Sequence, residues 1–302
     1  MSHNLLILFL FCLLVDSSKC VEVACSNDTN VNAVCECTER RRTVNCTNRG
    51  LNEWPVGIPA NTLFLYLSDN NLKKIDTNAL LQLQELFSIY AMNNMLTEVS
   101  TCFNDLPHLR TVYISENHIH GIEPFTFVNV PLEFLRIQYD NGIQVLCENA
   151  FALATDYAVG VFVQFNPNLE KISTGTFKNI TTGSIFLAGN SLQSIPAKAF
   201  QGKYFLEISL KANKIRFIDK DAFVDVDHIR ILDLSWNNLT SLEDGRIPPV
   251  KNIQLHKNNI QHISKNIFSN MASLEKLMLM GNSITSIQER AFSGTNLQFL
   301  FL

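Results

Sequence analysis

Between Ile229 and Leu242 the chain reads I-R-I-L-D-L-S-W-N-N-L-T-S-L, with apolar residues at Ile229, Leu232, Leu234, Leu239 and Leu242 and Asn237 set among them. Leu232 and Leu234 alternate with Asp233 and Ser235, the period-two pattern of a short strand with one buried face. A strand this short cannot bury that face alone. It needs copies stacked on either side, and the sequence supplies them. The apolar residue that closes this pattern recurs as Leu72, Leu96, Ile119, Ile143, Leu169, Leu192, Ile215, Leu239, Ile260 and Ile284, at intervals of 24, 23, 24, 26, 23, 23, 24, 21 and 24 residues. Asparagines precede it at Asn70, Asn94, Asn117, Asn190, Asn213, Asn237, Asn258 and Asn282. A side-chain amide both donates and accepts, which suits backbone groups freed where a chain turns out of a strand.

A second apolar series follows at fixed spacing: Ile75, Val99, Ile122, Leu146, Ile172, Ile195, Ile218, Leu242, Ile263 and Ile287. Five residues beyond most of these stands a phenylalanine, giving Phe127, Phe151, Phe177, Phe200, Phe223, Phe268 and Phe292, with Leu80 in the first repeat and Phe103 one residue early in the second. These rings are expected to stack as a core spine under the outer side. Two repeats carry one extra residue, at Asp140-Asn141-Gly142 and Asn166-Pro167-Asn168, where a local bulge is expected. The eighth repeat is short, lacks the phenylalanine and carries Ile247-Pro248-Pro249, which reads as an extended segment.

This L-x-x-L-x-L-x-x-N-x-L spacing is similar to that of a leucine-rich repeat. The resemblance implies one elongated α/β solenoid, a horseshoe with a parallel β-sheet on its concave face and irregular or short helical segments outside. A solenoid grows by adding coils, so the 302 residues need not divide into two cores. Hydrophobic residues at 46% and charged residues at 17% suit a continuous core. The net charge of -4 argues against nucleic acid or an anionic membrane as partner. The run Arg40, Arg41, Arg42 reads as a solvated loop.

Leu5 to Val15 is an apolar run of signal-peptide length, too short to span a bilayer, followed by Asp16, Ser17 and Ser18. No later stretch reaches spanning length without polar interruption. The expected organisation is a leader over 1–18, a cysteine-rich cap over 19–60, and repeats over 61–302, ten complete and one partial, with no C-terminal cysteine cap. The ending at Leu297, Leu300 and Leu302 suggests a fragment or a last strand covered by a partner. The expected address is secreted or the extracellular face of the plasma membrane.

Cys25, Cys35, Cys37 and Cys46 then meet an oxidising compartment, and spacing alone allows three pairings, of which a Cys35–Cys37 bond is sterically poor. Followed by Asn48-Arg49-Gly50-Leu51, Trp54-Pro55 and Gly57-Ile58-Pro59, these cysteines resemble the N-terminal cap of extracellular leucine-rich repeat proteins such as Slit, the Toll-like receptors and the lamprey variable lymphocyte receptors. The resemblance implies pairing of Cys25 with Cys37 and of Cys35 with Cys46. Cys102 and Cys147, two repeats apart, are too distant to bridge and are expected as buried thiols.

Strand alternation turns the central residue of each repeat to the concave face: Tyr66, Tyr90, Tyr113, Arg136, Phe162 and Phe186, then Ser209, Asp233, Gln254 and Met278. Aromatics and arginine anchor protein interfaces, so the first six are the candidate ligand-binding residues, with Phe134, Tyr139 and Phe165 alongside. The expected partner is a protein or peptide. A structural matrix role like that of the small leucine-rich proteoglycans is the alternative. Sequons at Asn27, Asn45, Asn179 and Asn238 are candidate N-glycan sites. His118 and His120 lack zinc-spaced partners, and no phosphate loop, dinucleotide fingerprint or nucleophile elbow is found, so neither cofactor nor catalysis is expected; an enzyme would have to use a concave histidine such as His256.

Overall fold

The computed structural model describes residues 24–25, 33–38, 42–99, 101–155, 159–242, 247–269 and 271–302. The leader assigned to 1–18, Cys20, the sequon at Asn27 and the basic residues Arg40 and Arg41 lie outside them. Arg42 is described, and it pairs with Glu85 at 2.9 Å on the surface.

Each turn of the chain contributes one strand to a single sheet whose members are hydrogen-bonded in sequence order, from Thr43–Asn45 and Phe64–Tyr66 to Phe299–Phe301. All of these pair in parallel; the short strand Glu36–Cys37 opens the sheet antiparallel to Thr43–Asn45. Register runs straight through the central residues, with Tyr66 opposite Tyr90, Tyr90 opposite Tyr113, Tyr113 opposite Arg136, Arg136 opposite Phe162 and Phe162 opposite Phe186. Their chain neighbours Leu65, Ile89, Val112, Leu135, Val161 and Ile185 point the other way and are fully buried, as are Leu232 and Leu234. The period-two alternation of the sequence is thus a division between a concave surface and one continuous core.

The cap closes the first edge of that core. Disulfides join Cys25 to Cys37 and Cys35 to Cys46, and Trp54 and Ile58 pack on the core behind them. Neither Cys102 nor Cys147 takes part in a disulfide. Cys102 is buried, whereas Cys147 is half-buried, against the expectation that both lie in the core.

Beyond each strand the ladder asparagine fastens adjacent coils. Asn117 Nδ2 donates to the carbonyls of Ile114 in its own coil and Ala91 in the one before, while its Oδ1 accepts from Leu96 N. The same set recurs at Asn190, Asn213 and Asn258. The residue in front of each is left-handed, at φ 58° for Glu116 and 57° for Tyr139 and Phe165, and its N–H donates to the following coil. The two long coils keep this pattern. Asp140 and Asn166 occupy the ladder position, both fully buried, and the extra residue is absorbed after them in the turn. Pairing between Phe134–Gln138 and Val159–Gln164 runs in straight register up to these turns.

The outer side carries short helical turns at its start and strand beyond them. One helical turn, Thr77–Leu80, is capped by Asp76 accepting from Ala79 N, and a 3-10 turn, Thr101–Phe103, follows in the next coil. Further along, the outer side is β. Phe177–Phe186 and Phe200–Ser209 run unbroken from the outer spine to the concave centre, and Phe151–Thr155 pairs with the first of them. Ile180, Thr181, Thr182 and Ile185 favour a pleated surface over a helix. Gly202 permits the close approach, because a Cβ there would stand 2.4 Å from the Ile180 carbonyl oxygen.

The phenylalanines stack as one column. Phe103, Phe127, Phe151, Phe177, Phe200 and Phe223 lie nearly parallel with centroids 5.0 to 5.7 Å apart. Phe103 joins despite its early position, since the 3-10 turn carries it into line. The column breaks at the eighth coil and resumes as Phe268 on Phe292 at 5.8 Å. Ile247 is buried there, and residues 243–246 lie outside the described set. Ile75 is only half-buried and Ile287 exposed, so the second apolar series loses its cover at both ends.

Two stability outcomes follow from this packing. Phe177→Ala removes a ring between two stacked neighbours and is expected to cost about 3 to 5 kcal/mol in denaturant unfolding. Asp140 offers a sharper test. Its carboxylate accepts from Gly142 N but cannot donate as the ladder amides do, and its second oxygen is buried without a hydrogen-bond partner. Burial therefore raises its pKa above 3.8, against backbone hydrogen bonds from Gly142 and Ile119 that lower it. A raised folded pKa means that the protein gains stability as pH falls through that pKa toward 3.8. Asp140→Asn restores the donor and is expected to add about 1 to 3 kcal/mol at neutral pH and to flatten this acid-side rise, read by urea melts across the range.

Candidate functional site

Straight register in a parallel sheet stacks the central side chains. Tyr66 lies flat on Tyr90 at 4.8 Å, and Tyr90 meets Tyr113 edge-on at 5.2 Å. The Arg136 guanidinium carbon sits 4.8 Å from the Tyr113 centroid and 5.3 Å from that of Phe162, and Phe162 lies flat on Phe186 at 4.6 Å. The six candidate residues thus form one unbroken column, each half-buried by its neighbours and open to the concave side. With strands about 4.8 Å apart the column is roughly 25 Å long.

Its electrostatics are spare. Arg136 is the one charged residue among the inward-facing strand positions of these six coils. Its Nε is enclosed without a hydrogen-bond partner. Burial raises the pKa of Tyr90, the Ser88 hydroxyl opposes that shift by hydrogen bonding, and Tyr66 and Tyr113 add to it.

Past Phe186 the character changes. Ser209 and Asp233 continue the column but are buried, and Asp233 Oδ1 accepts from both the backbone N and the hydroxyl of Ser235. Glu207 beside them has its pKa raised by burial and then by Asp233. Gln254 and Met278 are half-buried.

Alongside the column, Tyr139 stacks on Phe165 at 5.2 Å, both exposed, and Phe134 is exposed on the strand that carries Arg136. Phe165 lies over Gly189, where a Cβ would be 2.5 Å from the ring. Two further exposed aromatics, Phe87 and Trp236, carry no signal in the repeat pattern of the central position. Phe87 meets Phe64 edge-on at 6.0 Å, and Trp236 lies 5.7 Å from the Lys257 ammonium. Trp236 sits in the left-handed position before Asn237, where a side chain is thrown outward; that register was the available signal.

Of the sequons, Asn179 is exposed, Asn238 is half-buried, and Asn45 pairs with Tyr66, at the head of the column, with its Oδ1 accepting from Thr47 N. His120 Nδ1 lies 3.0 Å from the Thr97 carbonyl oxygen. His256 is half-buried with its Nδ1 enclosed and unpartnered. No group of three or more potential metal ligands gathers among the described residues.

The model of the leucine rich repeat matches residues 183–239 and 248–302, and that of the BspA type leucine rich repeat region matches 65–158. This chain is a leucine-rich repeat protein. With its disulfide-bonded cap the leucine-rich repeat protein is of the extracellular, non-enzymatic kind. It is similar to trophoblast glycoprotein of Macaca fascicularis, at 27% identity over 70% of this chain and 44% of that protein. It is also similar to the leucine-rich repeat transmembrane protein FLRT2 of Mus musculus, at 27% identity over 67% and 37%. A chain in the solved Toll - Spatzle complex of Drosophila shares the fold, with a TM-score of 0.55 and 22% identity over 85% of this chain and 40% of that one. The chain thus spans less than half the length of each. Among the described residues no helix is long and apolar enough to cross a membrane.

The column makes one titration distinctive. Tyrosinate absorbance should show a tyrosine ionising above 10.0, and Tyr90→Phe should remove it. Because the folded pKa is raised, the associated stability is lost as pH climbs through it, so alkaline unfolding of the variant should begin at higher pH.

Proposed function

We propose that the chain is an extracellular recognition module that takes a protein or peptide ligand on its concave face, through Tyr66, Tyr90, Tyr113, Arg136, Phe162 and Phe186. The observation that carries this reading is the column itself: five rings and a guanidinium, mutually stacked and open to solvent on one side. Rings held by their neighbours lose little freedom when a ligand arrives, so contact area converts to affinity with a small ordering cost. Aromatic and arginine anchors contribute most of the binding energy in protein interfaces. The Toll - Spatzle structure, whose fold this chain shares, is a complex, which agrees with a protein ligand.

On this reading residues 1–18 are a leader, 19–60 the cap and 61–302 the repeats, and the protein is secreted or displayed outside the cell. Glycans at Asn179 and Asn238 would leave the column open. One at Asn45 would stand beside Tyr66 and limit access from that end.

The test is a screen of the soluble chain against an array of secreted and cell-surface ectodomains. Partners are then measured again with the combined Tyr90→Ala, Tyr113→Ala and Phe162→Ala variant and with Val224→Ala on the outer side as control. At least tenfold weaker binding is expected for the ring variant and none for the control. Partners that bind the ring variant as tightly as the parent would overturn the concave assignment.

A further inference from the structure

Among the six stacked residues Arg136 is the anomaly. A cation inside an aromatic column is stabilised by the ring faces, and here two of them, Tyr113 and Phe162, enclose it. That accounts for the faces of the guanidinium and leaves its edge unmatched. Nε is buried without a partner, and among the described residues Arg136 forms no ion pair. Glu133, in the same coil, is engaged by Arg110 at 3.8 Å. Nε is itself closed off by the protein, so what a ligand can meet is the half-open remainder of the guanidinium. A planar fork with its faces already packed offers its edge in a fixed direction, which is the geometry that receives a carboxylate.

Resting on the concave reading above, we infer that Arg136 is the anchor for an aspartate or glutamate side chain within the ligand, flanked on both sides by apolar residues. The flanks follow from position. Tyr90 and Tyr66 extend beyond Tyr113 on one side and Phe186 beyond Phe162 on the other, so the cation stands inside the column and not at its end. A chain-terminal carboxylate would leave one aromatic flank unused. A carboxylate in mid-segment places neighbouring side chains over both. The inward-facing positions of these six coils hold no acidic residue to compete for the cation.

The probes are three sets of nine-residue peptides, amidated and acetylated, with Phe and Leu randomised at the flanks and Asp, Asn or Lys fixed at the centre. A fourth set ends in a free carboxylate after a single apolar flank. The Asp-centred set is expected to bind the folded chain at least tenfold more tightly than the Asn set and to outbind the carboxy-terminal set, with the preference lost in Arg136→Gln. Addition of the Asp set should also shift the Arg136 Nε–H resonance in the unmodified protein, a readout that requires no variant. Equal binding of Asp and Asn sets, with both dependent on Tyr90 and Phe162, would sink the acidic anchor and leave the concave reading standing. Binding of no set, or binding indifferent to Arg136 and to the rings alike, would count against both.

Discussion

Every ladder asparagine holds two coils at once, and the rest of the molecule depends on that. Asn117 joins the carbonyls of Ile114 and Ala91 with one amide nitrogen, so a coil is positioned by its predecessor as much as by its own sequence. A coil of some two dozen residues has no interior; its leucines are buried only because the next coil presents the same positions at the same height. The amide fixes that height. Once it is fixed, the parallel register of the whole sheet follows, and with it the alignment of the central side chains.

The column on the concave face is therefore a consequence of the ladder and not a separate invention of the sequence. Residues at one position in consecutive coils must stand about 4.8 Å apart, which is close to the stacking distance of flat rings. Placing aromatics at that position in successive coils is enough to build a rigid surface. The outer phenylalanines use the same arithmetic for the opposite purpose. Phe151 and Phe177 are fully buried while Phe162 and Phe186 are half open, although both pairs stack with similar spacing. What separates core from surface is which side of the strand the residue leaves.

Much of this was legible in the chain. A fixed period exposes the ladder, the strand leucines and the phenylalanine spine, because each must recur for neighbours to match. Failures came where one coil departs from the rule. Asp140 and Asn166 were missed as ladder residues because the extra residue of each long coil falls after them, which displaces the leucine from which the ladder is counted. The β character of 177–209 was hidden since helix and strand both satisfy one phenylalanine per coil, and only local composition decides between them. Burial of Asp233 was equally invisible, being set by Ser235 and the neighbouring coils. At the candidate site the alignment of Tyr66 to Phe186 could be read from spacing. That Arg136 is enclosed by Tyr113 and Phe162, with its Nε unsatisfied, could not, because it depends on rotamers across three strands.

A surface made only of rings has a weakness that the arginine corrects. Stacking and apolar contact are tolerant of sequence and of register, so an extended ligand could slide by one coil with little penalty along Tyr66, Tyr90 and Tyr113. A single cation removes that degeneracy. Shifting a carboxylate one strand away from Arg136 sets it over a neutral ring and leaves both charges unpaired, a loss that apolar contact does not recover. The enclosed guanidinium costs the free protein something, and the proposed return is one preferred register instead of several. Arginine suits that task better than lysine here, since its flat cation occupies a stacking position without breaking the column, whereas an ammonium would open a gap between Tyr113 and Phe162.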